Sequence, residues 1–396
     1  MAPSTARAAP DLNKRASAGV SAGVRGPLVA RIATPAVAVL LFSSGIVGAP
    51  QARAGFDHEG LAAQALEGHI RPGYNAFKST TDELKSVLEA ACKTHDIKSD
   101  EQVKAAFRNA VLAWSRVEHL KFGPILENNR NERIMFFPDR QKIGERQVQQ
   151  ILRKQEPGAL RVADLQQKSV AVQGLTALEV LLYAKSADSY LATTPEATFA
   201  CGYAAAVAQN LAQIAADVAA AWAKDGSYTA LWLKPGDDNP LFKTSSGPTA
   251  ELLTAFRNGI GNARDGKLLP SLGLKRTSLN GSLAPKSKPP FDVSGLGLAT
   301  IVANAEGVLD LVEQGGLAER LAVTEKKTAA LIKSELQSAI RIGRELEPAG
   351  ATVFNDNEAA AKLASMREPL AAAAAGNEQM ANAAGMVMGF TANDGD

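Results

Sequence analysis

Residues Glu101–Leu120 read EQVKAAFRNAVLAWSRVEHL, and this stretch decides the fold class. Val103, Phe107, Ala110, Trp114 and Val117 recur at steps of four and three, the spacing that lines up one apolar stripe along an α-helix. The spacing predicts a helix from Glu101 to about Lys121, ended by Gly123-Pro124. Working outward, Glu59 to Cys92 reads as a helix interrupted near Pro72-Gly73, because proline removes a donor and crowds the preceding turn. Further helices are expected over Ala163–Lys185 and from Glu196 or Ala200 to Ala223, with a short one over Glu145–Arg153 in the polar connection Asn128–Gly158. These make a first bundle. Gly226 to Ser246 is rich in glycine, proline and aspartate and marks a boundary. Pro248–Arg264, Gly295–Val312, Thr324–Glu347 and Glu358–Met388 make a second set of helices, with a proline-containing loop, Gly266–Asp292, after the first of them. The expected fold is all-α: two helical-bundle domains of about four helices each, over residues 55–225 and 247–396, joined by a linker at 226–246. Phe107-Arg108-Asn109-Ala110 and Phe256-Arg257-Asn258-Gly259 echo each other faintly across the two.

Composition agrees with helix: 46% hydrophobic residues but only 5% aromatic, with much alanine, suits closely packed helices. A formal net charge of +2 over 396 residues gives no reason to expect a nucleic-acid partner. The N-terminus carries Lys14, Arg15, Arg25 and Arg31, then an apolar run from Ala36 to Val47, then Ala52-Arg53-Ala54. That order is a secretory signal, residues 1–54, with cleavage expected after Ala54. The run is shorter than the roughly 20 residues that span a bilayer, and no long apolar stretch recurs, so no membrane span is expected in the mature chain. Cys92 and Cys201 are the only cysteines; in an oxidising compartment they could pair, and as buried thiols they could equally pack as small hydrophobes.

The chemistry concentrates in two helices. Between Val170 and Ala184, Glu179 is the only ionisable carboxylate in an otherwise apolar segment, where a carboxylate is costly unless paired, hydrogen-bonded or metal-bound. Thr176 shares its face, with Val172 and Ser169 expected to continue that face backwards. Glu118, one turn after Trp114, stands at the margin of the apolar stripe and is the second candidate. Arg116 points away from the stripe and is expected to hold the neighbouring connection. Asp139 could reach the site or simply form a turn. Arg257, Arg264, Lys267, Lys275 and Arg276 read as a solvated face. The histidines are His58, His69, His95 and His119, with no His-Glu-x-x-His arrangement, which disfavours a zinc peptidase.

Three segments and the terminus resemble one family. Trp114-Ser115-Arg116-Val117-Glu118-His119-Leu120-Lys121-Phe122-Gly123-Pro124 is similar to a helix and turn of imelysin-like proteins. Phe136-Phe137-Pro138-Asp139-Arg140 resembles their aromatic-Pro-Asp-Arg loop, and Gly389-Phe390-Thr391-Ala392-Asn393-Asp394-Gly395-Asp396 resembles their ending. Gly174-Leu175-Thr176-Ala177-Leu178-Glu179 aligns with their Gly-x-His-x-x-Glu signature, with Thr176 at the histidine position. The resemblance implies a two-domain helical fold with a site between the bundles, an envelope location, and a link to iron uptake in some members. It also implies kinship with proteins classed as metallopeptidases. A threonine hydroxyl is a weak neutral ligand in place of imidazole. The expected function is therefore an exported periplasmic protein that binds a metal ion or small ligand through Glu118, Glu179, Thr176, Trp114, Asp139 and Arg116. Glu118 and Glu179 are its candidate metal ligands, for iron or another divalent metal. A divergent metallopeptidase and a structural or partner-docking envelope protein are the alternatives, and an envelope transport component is the protein partner considered.

Overall fold

The computed structural model describes residues 55–93, 97, 100–139, 141–188, 195–274 and 285–386. The expected secretory segment and the family-like ending lie outside the described residues. Among those described there is no strand, and no helix is long and apolar enough to cross a membrane. The fold is all-α.

Helices α1 (His58–Ala65) and α2 (Arg71–Ala91) are one rod broken by a π-helical turn over Leu66–Ile70. The expected interruption is thus present, one turn before Pro72. Proline has no N–H to offer the carbonyl four residues back, and the preceding turn widens. The same device recurs far along the chain. Helix α10 (Ser246–Gly261) passes through a π-helical turn over Asn262–Leu268 into the short α11 (Leu269–Leu272), again just before a proline, Pro270.

Helix α3 spans Glu101–Val117, its first turn capped by Asp100, whose carboxylate accepts from the Gln102 and Val103 N–H groups at 2.8 and 3.2 Å. Each stripe residue, Val103, Phe107, Ala110, Trp114 and Val117, is buried. Two short helices follow, α4 (Arg130–Ile134) and α5 (Ile143–Lys154), the second matching the expected 145–153 segment.

The helix expected over 163–185 is in fact three pieces: α6 (Val162–Leu165), a 3-10 turn at Val170–Val172, and α7 (Leu175–Tyr183). The break has a steric cause at Gly174. A Cβ there would lie 2.2 Å from the Arg133 carbonyl oxygen and 2.3 Å from that of Ile134, so the chain crosses the α4 backbone where only glycine fits. Ser169 and Val172 therefore do not extend the Thr176 face. Ser169 instead caps the 3-10 turn, accepting from the Ala171 N–H, and Val172 enters the core.

Helix α8 (Glu196–Ala221) packs on α2, and the Cys92–Cys201 disulfide ties the end of α2 to α8. Within the glycine-rich stretch 226–246 lies α9 (Ser227–Leu233), whose buried Trp232 stacks on Phe122 and donates its indole N–H to the Ala62 carbonyl at 2.9 Å. The rest is α12 (Gly297–Glu313), α13 (Leu317–Leu346), α14 (Asn357–Ala364) and α15 (Arg367–Ala383). α12 packs on α13 and α10, and α15 on both of those. α12 also crosses α3. Gly307 permits that approach, since a Cβ there would sit 2.0 Å from the Arg116 carbonyl oxygen.

Candidate functional site

The end of α3 sits against both π-helical turns. Glu118 is buried, and its Oε2 accepts from the Lys267 ammonium at 2.7 Å and from the Asn304 amide at 3.0 Å. Lys267 also donates to Asn304 Oδ1 at 2.7 Å, and the Asn304 amide reaches the Ser115 carbonyl at 2.6 Å, closing a ring of mutually satisfied groups. Burial pushes the Lys267 ammonium below the usual lysine range, an effect that the Glu118 charge opposes. Lys267 is 2% exposed, so it does not belong to the solvated basic face expected from its neighbours.

The next residue, His119, turns the other way and meets His69 of the first π-helical turn, Nε2 to Nε2 at 3.0 Å. Burial lowers His119 to about 3 and holds His69 well below the usual histidine value, with His119 adding to the effect. Two neutral imidazoles sharing one proton is the arrangement that follows. His69 and Lys267 each stand three residues before the proline that follows their turn. Adjacent residues just past the end of α3 thus reach equivalent positions in two separate parts of the chain.

Glu179 has a different environment. It lies on α7, buried, and its Oε1 accepts from both the backbone N–H and the hydroxyl of Ser294, each at 2.8 Å. The Val293 N–H beside it also favours the charged carboxylate. Burial raises its pKa; the Ser294 and Val293 donors oppose this, and Asp292, a charge of the same sign, adds to the rise. The turn that supplies these donors is held by Phe291, 1% exposed and edge-on to Phe107, at φ +60°. A bulky residue in that left-handed conformation costs on the order of 1–3 kcal/mol and persists where its surroundings over-determine it. Phe107 in turn lies against Tyr183, whose phenol burial pushes up to about 12, with Glu179 and Glu101 contributing.

The other expected site residues serve different ends. The Thr176 hydroxyl accepts from the Phe136 N–H at 3.4 Å. Asp139 forms a turn: Oδ1 and Oδ2 accept from the Ile143 and Gly144 N–H groups at 2.7 and 2.8 Å, at the start of α5. Asp139→Ala is therefore expected to lower stability by about 1 kcal/mol, the usual effect of losing a helix N-terminal acceptor, as read from urea unfolding. Arg116 does not hold the neighbouring connection. It pairs with Glu306 and, at 3.2 Å, with Asp310, binding α3 to α12. Trp114 is a core residue tilted against Phe77.

Glu118 and Glu179 share no hydrogen-bond partner. The donors around them do not fit a resident divalent ion: Glu118 Oε2 already holds an ammonium, and among the described residues no three His, Cys, Asp or Glu side chains cluster to hold a metal. Reading the sequence missed Lys267, Asn304, His69 and Ser294. For His69 a signal existed, a basic residue three positions before a proline inside an expected helix; Lys267 fell in an expected loop, and Asn304 and Ser294 carry none.

The chain's all-helical architecture matches solved structures. An imelysin-like protein from Psychrobacter arcticum 273-4 superposes with a TM-score of 0.70 at 17% identity, covering 85% of this chain and 100% of that one. An iron-regulated protein A precursor from Parabacteroides distasonis ATCC 8503 gives a TM-score of 0.67 at 14% identity, covering 84% and 96%. Comparison with curated proteins finds no match. The imelysin profile (peptidase M75) matches residues 70–381, a span that includes the second π-helical turn, the α3 terminus, Glu179 and Ser294, and the chain belongs to the imelysin family.

Proposed function

We propose that this protein is an exported, periplasmic binding protein, and that its ligand presents a positively charged or hydrogen-bond-donating group to Glu179. The observation that carries this is the contrast between the two buried glutamates. Glu118 has its counter-charge in Lys267, whereas the partners of Glu179 are neutral donors and its charged neighbour is Asp292. A buried carboxylate without a cation is the complement of a cationic guest. Glu118 then acts as the support that fixes α3, and residues 55–225 and 247–396 as the two bundles that bring Glu179 and Ser294 together. Export is supported by the basic, apolar and small-residue order of the first 54 residues and by the Cys92–Cys201 bridge, a linkage that persists in oxidising compartments. A role beside an envelope transport component in iron-related uptake accords with the name of the Parabacteroides neighbour. The donor set favours an organic cation or a hydrated, oxygen-bound ion over a tightly held transition metal.

The test is protein recovered from the envelope without chelator or tag-borne metal, compared with Glu179→Gln by native mass spectrometry and elemental analysis. A stoichiometric ligand on the wild type that is lost from the folded variant is expected. Retention of that ligand by Glu179→Gln would sink the assignment. The stability of the empty protein carries a second signature. A carboxyl whose folded pKa is raised contributes stability present below its unfolded value and lost as pH rises through the folded value. Empty Glu179→Gln should therefore match the wild type in acid and exceed it at neutral pH.

A further inference from the structure

Glu179 is held from a distance of 115 residues in sequence by a single turn, Phe291 to Leu296, closed by the Leu296 N–H to the Phe291 carbonyl at 2.8 Å. Three features show that this turn is built rather than incidental. Phe291 is buried in a left-handed conformation. Pro289 is clamped by the start of α12, where a Cβ on Gly297 would fall 2.6 Å from its ring. Gly295, at φ +76°, returns the chain into that helix. The turn aims consecutive N–H groups, those of Val293 and Ser294, at one carboxylate, the arrangement by which backbone concavities hold anions. The Ser294 hydroxyl lies 2.8 Å from Glu179 Oε1 and 3.1 Å from the Phe291 carbonyl. Its one proton serves one acceptor at a time, and the carboxylate, nearer and charged, is the stronger.

We propose that Ser294 is the positioning residue of the Glu179 site: from the far part of the chain it fixes the carboxyl with two donors on Oε1, so that a ligand meets the remaining oxygen, Oε2. This rests on Glu179 being the ligand-binding group. Ser294 acts through Glu179 and needs no contact with the ligand. Besides orienting the carboxyl, it sets the charge that the ligand meets. Burial and the like charge of Asp292 favour the neutral acid, and the Ser294 donors favour the anion. The other ionisable groups facing this corner are the Tyr183 phenol on α7, Glu101 at the start of α3, and Lys288, which is engaged with Asp292 at 2.5 Å. None of them hydrogen-bonds to Glu179.

The test is a pH titration of the Glu179 carboxyl carbon by 13C NMR on the whole chain, its signal assigned by absence from Glu179→Gln. Ser294→Ala keeps the backbone donor but loses the hydroxyl, and should move the titration midpoint upward. Ser294→Thr, which restores a hydroxyl, should return the midpoint towards the wild-type value. A midpoint unmoved by Ser294→Ala, or left displaced in a folded Ser294→Thr, overturns the proposal. Methylammonium added to each protein separates this idea from the one beneath it. If the midpoint moves as stated and methylammonium perturbs the signal, both stand. If the midpoint moves but methylammonium never perturbs it, the positioning role stands and the cation-binding reading of Glu179 fails.

Discussion

Lys267→Met is expected to lower stability by about 3–5 kcal/mol, the effect of stripping one partner from a buried ion pair. Its magnitude follows from where the pair lies. Both side chains are almost fully buried, so water cannot take the place of the lost ammonium. Asn304 would remain as the donor to Glu118 Oε2 but carries no charge. Adding Glu118→Gln should recover most of the loss, because a neutral amide can still bond to Asn304 and no uncompensated charge remains. The measurement is urea unfolding of the wild type, both single variants and the double variant, with the coupling taken from the cycle. A near-neutral Lys267→Met would mean that Glu118 finds another cation or is not ionised, and the division of labour between the two glutamates would collapse.

That division explains why the sequence was informative about the fold and less so about the site. The α3 stripe is a local pattern of one helix, and its burial follows from periodicity alone, as at Phe107 and Trp114. The rod from α1 to α2 was legible for the same reason, and Pro72 marked its break. The region around α7 was not, because the interruption at Gly174 arises from contact with the carbonyls of Arg133 and Ile134, some forty residues earlier. A glycine between two apolar runs carries no mark of what presses on it.

At the site the limit is sharper. That Glu179 needs a partner could be inferred from its apolar surroundings, but which partner could not. Ser294 lies in a turn among prolines that looks like any other loop, and only the tertiary structure shows that its donors converge on a carboxylate. Lys267 was misread because charge runs are ordinarily solvated. Arg264, three residues before it, indeed pairs with its own neighbour Asp265, while the π-helical turn rotates Lys267 inward. A one-residue widening of a helix changes which face a side chain occupies, and neither period nor composition reports it. The resemblance to imelysin-like proteins pointed to Glu118 and Glu179 together; the geometry gives one a counter-ion and the other neutral donors only.

Removing the Cys92–Cys201 bridge by a Cys92→Ser/Cys201→Ser double change should cost about 2–5 kcal/mol. The bridge closes a loop of 109 residues. In the chain-entropy account a crosslink spanning on the order of 100 residues restricts the unfolded chain by about 4.7 kcal/mol. What lies inside the loop matters as much as its length. It contains all of α3, the Asp139 cap, α7 with Glu179, and the Gly174 crossing, so the crosslink constrains the unfolded chain across the segment that connects α2 to α8. The double variant, which avoids a single stray thiol, is to be compared with the wild type under non-reducing conditions by urea unfolding, and with the wild type after reduction. The oxidised wild type should unfold at higher denaturant than either, and the reduced wild type should behave like the double variant. Equal midpoints for the oxidised wild type and the double variant would show that α2 and α8 hold together by packing alone. In that case the bridge would carry no stabilising role, and its value as support for an oxidising location would rest on its formation in cells rather than on its energy.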